Sequence, residues 1–284
     1  MTDDPSKMLD SVQGNVLQCA HALARARNLE NPTMQNPYRA ILRARNLPYR
    51  PILGESSAKT IKGERIGFLT GILYLSPDDE LCPLARFAKC MAPCLRSAGR
   101  GAFDSVQRAR DAKTAFFRQN REAFMLSFCA DVWTLARKAS RIGMTPLVRP
   151  NGTSDIPFEN ILVLDGKTIF QLFPDVQFYD YTKHPARKLD GKTAGNYDLT
   201  YSFSAVTPKL ISIKGLQNPD NKRTAVVFHK RDEIPTSFRG WPVVDGDDTD
   251  VRHIEPARVV VALYAKGKAK QDSTGFVQRL GVHY

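Results

Sequence analysis

GFLTGILYLS, residues 67–76, is an almost unbroken apolar run closed by Pro77 and the acidic turn Asp78, Asp79 and Glu80. A run of this length without polar alternation reads as a strand covered on both faces, as in a parallel sheet flanked by helices. Downstream, short apolar runs recur from Thr145, each ended by polar or turn residues: PLVRP before NGTSD, VQFYD before YTKHP, DLTYSF before SAVTP, TAVVFH before KRDE, WPVV before DGDDTD, and finally RVVVALYAKG. With 67–76 and ILVL (161–164) these make eight strand candidates. None after Thr145 is joined to the next by a two-residue Asn-Gly or Asp-Gly turn, and the connections read as helical or irregular. The fold class expected is α/β, a TIM-type barrel, complete or incomplete. A mixed sheet is the alternative, because several connections are too short for a full helix.

Between the first strand and Thr145, the apolar positions Phe103, Val106, Ala109, Phe116, Phe117, Phe124, Leu126, Phe128, Val132 and Leu135 predict a helix, broken near Gln119 and Asn120 and then resumed. Upstream, residues 8–30 carry Ala and Leu at helical spacing, and 31–66 are rich in Pro, Asn and basic side chains. The division expected is an N-terminal helix and basic arm over 1–66, then a barrel domain over 67–284 with a cysteine loop at 82–94.

The 284 residues are 42% hydrophobic and 25% charged, which excludes a disordered, collagenous or disulfide-scaffold chain. No stretch approaches the roughly 20 apolar residues of a membrane span. The opening MTDDPSKMLD lacks the basic-then-apolar order of a secretory signal, so a cytosolic protein is expected. Lys and Arg number 41 against 29 acids, a net charge of +12 that favours a polyanionic partner, with DNA the leading class. The excess is concentrated: residues 38–65 hold seven bases against two acids, and 86–121 hold nine against two. Phosphate contacts are expected from Arg39, Arg43, Arg45 and Arg50 in the arm, from Arg96 and Arg100, and from Lys266, Lys268 and Lys270; a solubilising coat is the alternative.

Cys82, Cys90 and Cys94 lie within LCPLARFAKCMAPCLRSAGRG, whereas Cys19 and Cys129 stand alone in helix-like stretches and read as small core residues. Three thiolates in one loop at a strand end suit zinc or an iron–sulfur cluster. Pro83 and Pro93, each beside a cysteine, favour a rigid loop. Three buried thiols without metal are the alternative.

In a barrel the chemistry gathers at the carboxyl ends of the strands. Asn151, Thr153, Ser154 and Asp155 follow one run, Asp180 and Lys183 another, and Asp245 with Asp247, Asp248 and Asp250 a third. Asp155, Asp180 and Asp245 are therefore the catalytic candidates. Asn151, Thr153, Ser154, Tyr179, Tyr181 and Lys183 are candidates for holding a substrate, although alternate aromatics in a strand also serve as core.

Read in order, LCPLARFAKCMAPCLRSAGRGAF, NGTSDIPFE, FYDYTK, VVDGDDTD and AKGKAKQDSTGFV resemble the bacteriophage proteins of the gene product 88 family. The resemblance implies a protein that works in the cytoplasm of an infected bacterium. One phage activity suits a basic barrel with acidic strand ends: DNA transglycosylases, relatives of the tRNA-guanine transglycosylases, exchange guanine in DNA for a 7-deazaguanine base. That double displacement needs two carboxyl groups about 5 Å apart, a base turned out of the stack, and by this reading zinc on the cysteines. The tRNA enzymes' Cys-x-Cys-x2-Cys signature is missing. A second reading comes from the order of elements. A first barrel strand followed at once by three cysteines resembles radical S-adenosylmethionine enzymes, whose thiolates hold a [4Fe–4S] cluster with one iron open to S-adenosylmethionine. Their usual Cys-x3-Cys-x2-Cys spacing is here Cys-x7-Cys-x3-Cys. A third reading is a non-enzymatic DNA-binding protein with a structural metal.

Overall fold

The computed structural model describes residues 35–55, 58–185, 187–206 and 221–281; the helix expected over 8–30, with Cys19, lies outside them. The first element, α1 (Pro37–Ala44), starts where the Asn36 side chain accepts from the backbone N–H groups of Tyr38 and Arg39, with Pro37 at the first helical position. Then follow β1 (Leu53–Gly54), α2 (Ala58–Glu64) and β2 (Phe68–Leu73), the strand read from 67–76. Helices α3 (Asp104–Gln119) and α4 (Arg121–Arg141) meet at Asn120, whose side chain accepts from Ala123 N–H and caps the second helix. The break expected near Gln119 and Asn120 is thus a helix junction.

Beyond α4 come β3 (Thr145–Arg149), the short strands β4 (Leu162–Leu164) and β5 (Lys167–Thr168), α5 (Ile169–Leu172), β6 (Gln177–Thr182), β7 (Tyr197–Ser202), β8 (Asn221–Phe228), β9 (Ser237–Phe238), β10 (Trp241–Asp245), β11 (Val260–Tyr264) and β12 (Val277–Gln278). The main sheet runs β1-β2-β3-β6-β7-β8-β11-β10-β9, with β12 also on β8. From β2 to β10 every neighbouring pair is parallel. Six of these strands, β2, β3, β6, β7, β8 and β11, lie side by side in the order of the sequence.

The expected TIM-type barrel is not formed. Antiparallel β1 takes the free edge of β2, and antiparallel β9 takes the free edge of β10, so neither edge is open to the other. The sheet ends at both sides as an open, mixed α/β sheet. Strands β4 and β5 stand apart as a hairpin on Asp165-Gly166, whose φ angles of 49° and 66° are those of a two-residue primed turn. The reading of ILVL as a strand of the main sheet is corrected accordingly.

One face of the sheet packs on α1 and α4. Leu69, Leu73, Val148, Phe178 and Leu199 meet Phe124, Phe128, Val132 and Leu135, with Tyr38, Ile41 and Leu42 closing the layer from α1. The opposite face carries two smaller clusters, Leu147, Tyr179 and Val251, and Ala225, Val259 and Val261. Among the described residues no helix is long and apolar enough to cross a membrane.

Candidate active site

The loops that follow the parallel strands close around one cleft, enclosing about 1230 Å³ of empty space that includes its opening to solvent. Its walls come from the cysteine loop after β2 (Cys82, Cys90, Met91, Cys94), the loop after β3 (Asn151 to Asp155), Thr182 at the end of β6 with Lys183 beyond it, Ser202 on β7, and Tyr264 at the end of β11 with Lys266 beyond it. Its floor is formed by side chains of the strands themselves, among them Arg149, Tyr181, Ala225 and Leu263. The carboxyl ends of the strands thus form the site even though no barrel closes.

Local hydrogen bonds sew these loops together. Gly152 N–H donates to Leu73 O at 2.8 Å and Asp155 N–H to Leu81 O at 2.7 Å, joining the loops after β2 and β3. The Cys82 thiol lies 3.7 Å from Thr153 O, and the Ser204 hydroxyl donates to Ala88 O at 2.8 Å. Gly152 passes so close to Tyr74 that a Cβ would stand 2.6 Å from its ring. Asn151 folds the loop around its own amide, accepting from Ser154 Oγ at 2.7 Å and Ile156 N–H at 2.8 Å.

Of the three catalytic candidates, Asp155 alone lines the cleft, and both its oxygens are engaged. Oδ2 accepts from Lys183 N–H at 2.8 Å, and Oδ1 pairs with Arg187 at 3.1 Å. Asp180 is fully buried away from the cleft, where it accepts from Asn151 N–H, Asn151 Nδ2 and the Tyr197 hydroxyl, each at 2.8 Å. Burial pushes its carboxyl up to about 6, against the opposing pull of Arg149 and Arg187. It serves as the anchor of the loop after β3. Asp245 lies outside the cleft wall, paired with Arg231 at 2.8 Å. Asn151, Thr153, Ser154, Tyr181 and Lys183 all line the cleft, whereas Tyr179 is buried beneath it and donates to Asp250 at 2.8 Å.

The sequence reading passed over Arg149, Tyr264 and Phe276. A basic residue ending an apolar run was the available signal for Arg149. It pairs with Asp250 at 3.1 Å, and its guanidinium lies 4.6 Å from the centre of the Tyr181 ring. Lys183 lies 4.6 Å from the Phe276 ring centre and Lys266 lies 4.5 Å from that of Tyr264, so three cation–aromatic pairs face one space.

Cys82, Cys90 and Cys94 are half-buried thiols on one wall, and Cys129 is a core residue of α4, as expected. Burial raises the Cys82 and Cys90 thiols, and Asp155 and the neighbouring cysteines push Cys82 further up. Among the described residues no group of three or more His, Cys, Asp or Glu side chains is placed to hold a single metal ion. The donor set itself is soft: three sulfurs from one loop, facing one cavity.

The basic residues expected to touch DNA fall into two places. Arg39 and Arg43 are exposed on α1, Arg45 pairs with Glu122, and Arg50 lies 5.1 Å from the Phe116 ring centre. Arg96, Arg100, Lys268 and Lys270 are exposed where the turns 95–102 and 267–271 meet, beside the cleft, whose rim includes Lys266.

These features define an α/β protein with an open, mainly parallel sheet and a thiol-lined cleft at the carboxyl ends of its strands. The family model described as gene product 88 matches residues 51–280, and the chain belongs to that family of phage gene products. No curated protein and no solved structure matches the chain at a significant level.

Proposed function

We propose that the chain is an iron–sulfur enzyme of the radical S-adenosylmethionine kind, acting on a substrate carried by DNA. The observation that supports this reading above the others is the placement of Cys82, Cys90 and Cys94: one loop, directly after the first of six sequentially ordered parallel strands, facing a cleft at their carboxyl ends. A zinc ion draws its thiolates to about 2.3 Å from one point, whereas a cluster takes each thiolate on a separate iron. When bound, such a cluster supplies the electron for radical chemistry with S-adenosylmethionine.

The chain's own residues have separate tasks in this reading. The three cysteines hold the cluster and shed their protons on binding it. The cleft lining of Met91, Tyr181, Leu263 and Phe276 excludes water from a reactive species, and Arg149 on the floor offers hydrogen-bond donors to a substrate oxygen. Arg96, Arg100, Lys268 and Lys270 beside the opening support a polyanionic substrate.

The transglycosylase alternative draws less support. Double displacement needs two carboxyl groups facing one sugar carbon, and among the described residues the cleft-lining carboxylates are Asp155 and Asp247, the first held by Arg187 and the second by Lys266.

Anaerobic purification tests the reading. A brown protein absorbing near roughly 400 nm, containing iron and sulfide and cleaving S-adenosylmethionine reductively, is expected. Replacing Cys82, Cys90 and Cys94 together by Ala should leave it colourless and inert. A colourless wild-type protein containing zinc, or no metal after reconstitution with iron and sulfide, overturns it.

A further inference from the structure

We propose that the cleft takes in a single nucleobase bearing a ring carbonyl, turned inward from a DNA strand whose phosphates rest on the basic turns beside the opening. This rests on the DNA-borne substrate of the reading above and not on its metal.

The floor of the cleft is one face of the sheet. Side chains alternate along a strand, and Arg149 on β3, Tyr181 on β6, Ser202 on β7, Ala225 and Val227 on β8 and Leu263 on β11 all line the space. The middle of this row is small: Ser202 pairs in register with Ala225, between the strand of Tyr181 and the strand of Leu263. A trough with small side chains along its middle and larger ones at its sides admits a flat ring. Tyr181, Tyr264 and Phe276 remain partly exposed in the lining. Each is held by a cation near its ring centre, Arg149 at 4.6 Å, Lys266 at 4.5 Å and Lys183 at 4.6 Å. Fixed, partly exposed rings are stacking surface that any base can use.

Arg149 supplies the polar end of the site. It is 5% exposed, and its Nη1 is spent on Asp250 at 3.1 Å. Its Nε is buried without a hydrogen-bond partner, 3.9 Å from Asp180 Oδ1. Its Nη2 makes no hydrogen bond within the described residues, so a donor on a rigid, stacked guanidinium is left over in the floor. Because Asp250 and Asp180 already balance the charge of Arg149, and Asp155 and Asp247 also line the cleft, that donor suits a neutral carbonyl oxygen better than a second anion.

Charge outside the cleft has the opposite character. Arg96, Arg100, Lys268 and Lys270 are exposed on the turns 95–102 and 267–271. These turns touch: a Cβ on Gly267 would stand 3.1 Å from Ala98. Both also reach the cleft, since Cys94, Lys266 and Ala269 line it. A basic rim around a balanced interior of rings is the charge pattern of a strand held by its phosphates with one base inside.

The test uses the whole chain without added metal and short, fluorescently labelled single strands of abasic sugar-phosphate carrying one central hypoxanthine, one central adenine or no base. Hypoxanthine has a ring carbonyl where adenine has an amino group. Affinity read by anisotropy should rise about fivefold or more from the abasic strand to the adenine strand, the worth of one stacked base. It should rise about tenfold again for hypoxanthine, the worth of a hydrogen bond from a charged donor. Ala225→Met, which fills the middle of the floor, should bring all three strands to the abasic value and leave the salt dependence unchanged. Equal binding of the three strands by wild type overturns the proposal, as does adenine bound as tightly as hypoxanthine, or a preference that survives in folded Ala225→Met. If that variant melts early, wild type decides with a strand carrying 5-iodouracil as its central base: photocross-linking to Tyr181 or Tyr264 supports the proposal, and cross-linking only to residues outside the cleft lining overturns it. A wild type that binds no strand at all removes DNA as the carrier and with it the reading above, whereas strands bound alike with and without a base leave that reading standing and refute only the base site.

Discussion

Asp180 shows how a carboxylate at a strand end becomes structural. Its three hydrogen-bond donors come from Asn151 and Tyr197, and Asn151 in turn shapes the cleft wall. Burial raises its folded pKa to about 6 from an ordinary value near 3.8. An acid whose folded pKa is raised contributes stability that is full below the unfolded pKa and is lost as pH rises through the folded one. The stability of wild type relative to Asp180→Asn should therefore decline between about pH 4 and pH 6, by about 3 kcal/mol in all. Urea titrations of both proteins across that window would show it; a difference independent of pH would contradict the raised value.

Gly152 makes a second residue-scale case. Any Cβ there meets the Tyr74 ring and Leu73 O, which stands 2.7 Å away. The obstructions are a ring and a backbone carbonyl, so the loop must shift. Gly152→Ala should cost about 1–3 kcal/mol and, because that loop lines the cleft, should also weaken metal uptake by the cysteines if the iron–sulfur proposal holds. Full retention of both stability and uptake would show that the wall is not rigid.

At the scale of the element, α4 carries the core. Phe128 is fully buried and packs edge-on against Phe158, their centroids 5.7 Å apart. Phe128→Ala should destabilise the chain by about 3–5 kcal/mol in a denaturant titration; a loss under 1 kcal/mol would place the cooperative core elsewhere. This helix was legible before folding because its apolar positions keep a 3.6-residue rhythm and Asn120 interrupts that rhythm with a cap. The seven longer strands of the sheet were legible too, as apolar runs. The two-residue strands β1, β9 and β12 were not, since a pair of residues carries no period and their pairing depends on what the rest of the sheet leaves open. Asp165-Gly166 went unread as a hairpin turn, because β5 after it is too short to register as an apolar run. The site was half legible. Loop positions after the runs located its walls, but which of Asp155, Asp180 and Asp245 faces the cleft depends on side-chain direction, and adjacent residues in a strand point to opposite faces.

For the molecule as a whole, the two basic groups make different predictions. Arg96 and Lys268 stand beside the cleft, whereas Arg39 lies on α1, hydrogen-bonded to Tyr49 at 2.8 Å. If DNA enters the cleft, Arg96→Ala with Lys268→Ala should weaken binding and flatten its dependence on log salt by about 0.9 per phosphate contact removed. Arg39→Ala with Arg43→Ala should leave that slope close to wild type. The reverse pattern, measured by fluorescence anisotropy over a salt series, would move the nucleic-acid face to α1.

The two antiparallel strands that finish the sheet also bear on how the protein behaves at high concentration. Each presents only two residues, Leu53 and Gly54 on one side, Ser237 and Phe238 on the other. A second chain meeting such a border finds too few unpaired backbone groups to extend a ladder, which is how sheet proteins avoid fibril growth. The protein is thereby protected at both borders of its sheet against polymerising through them.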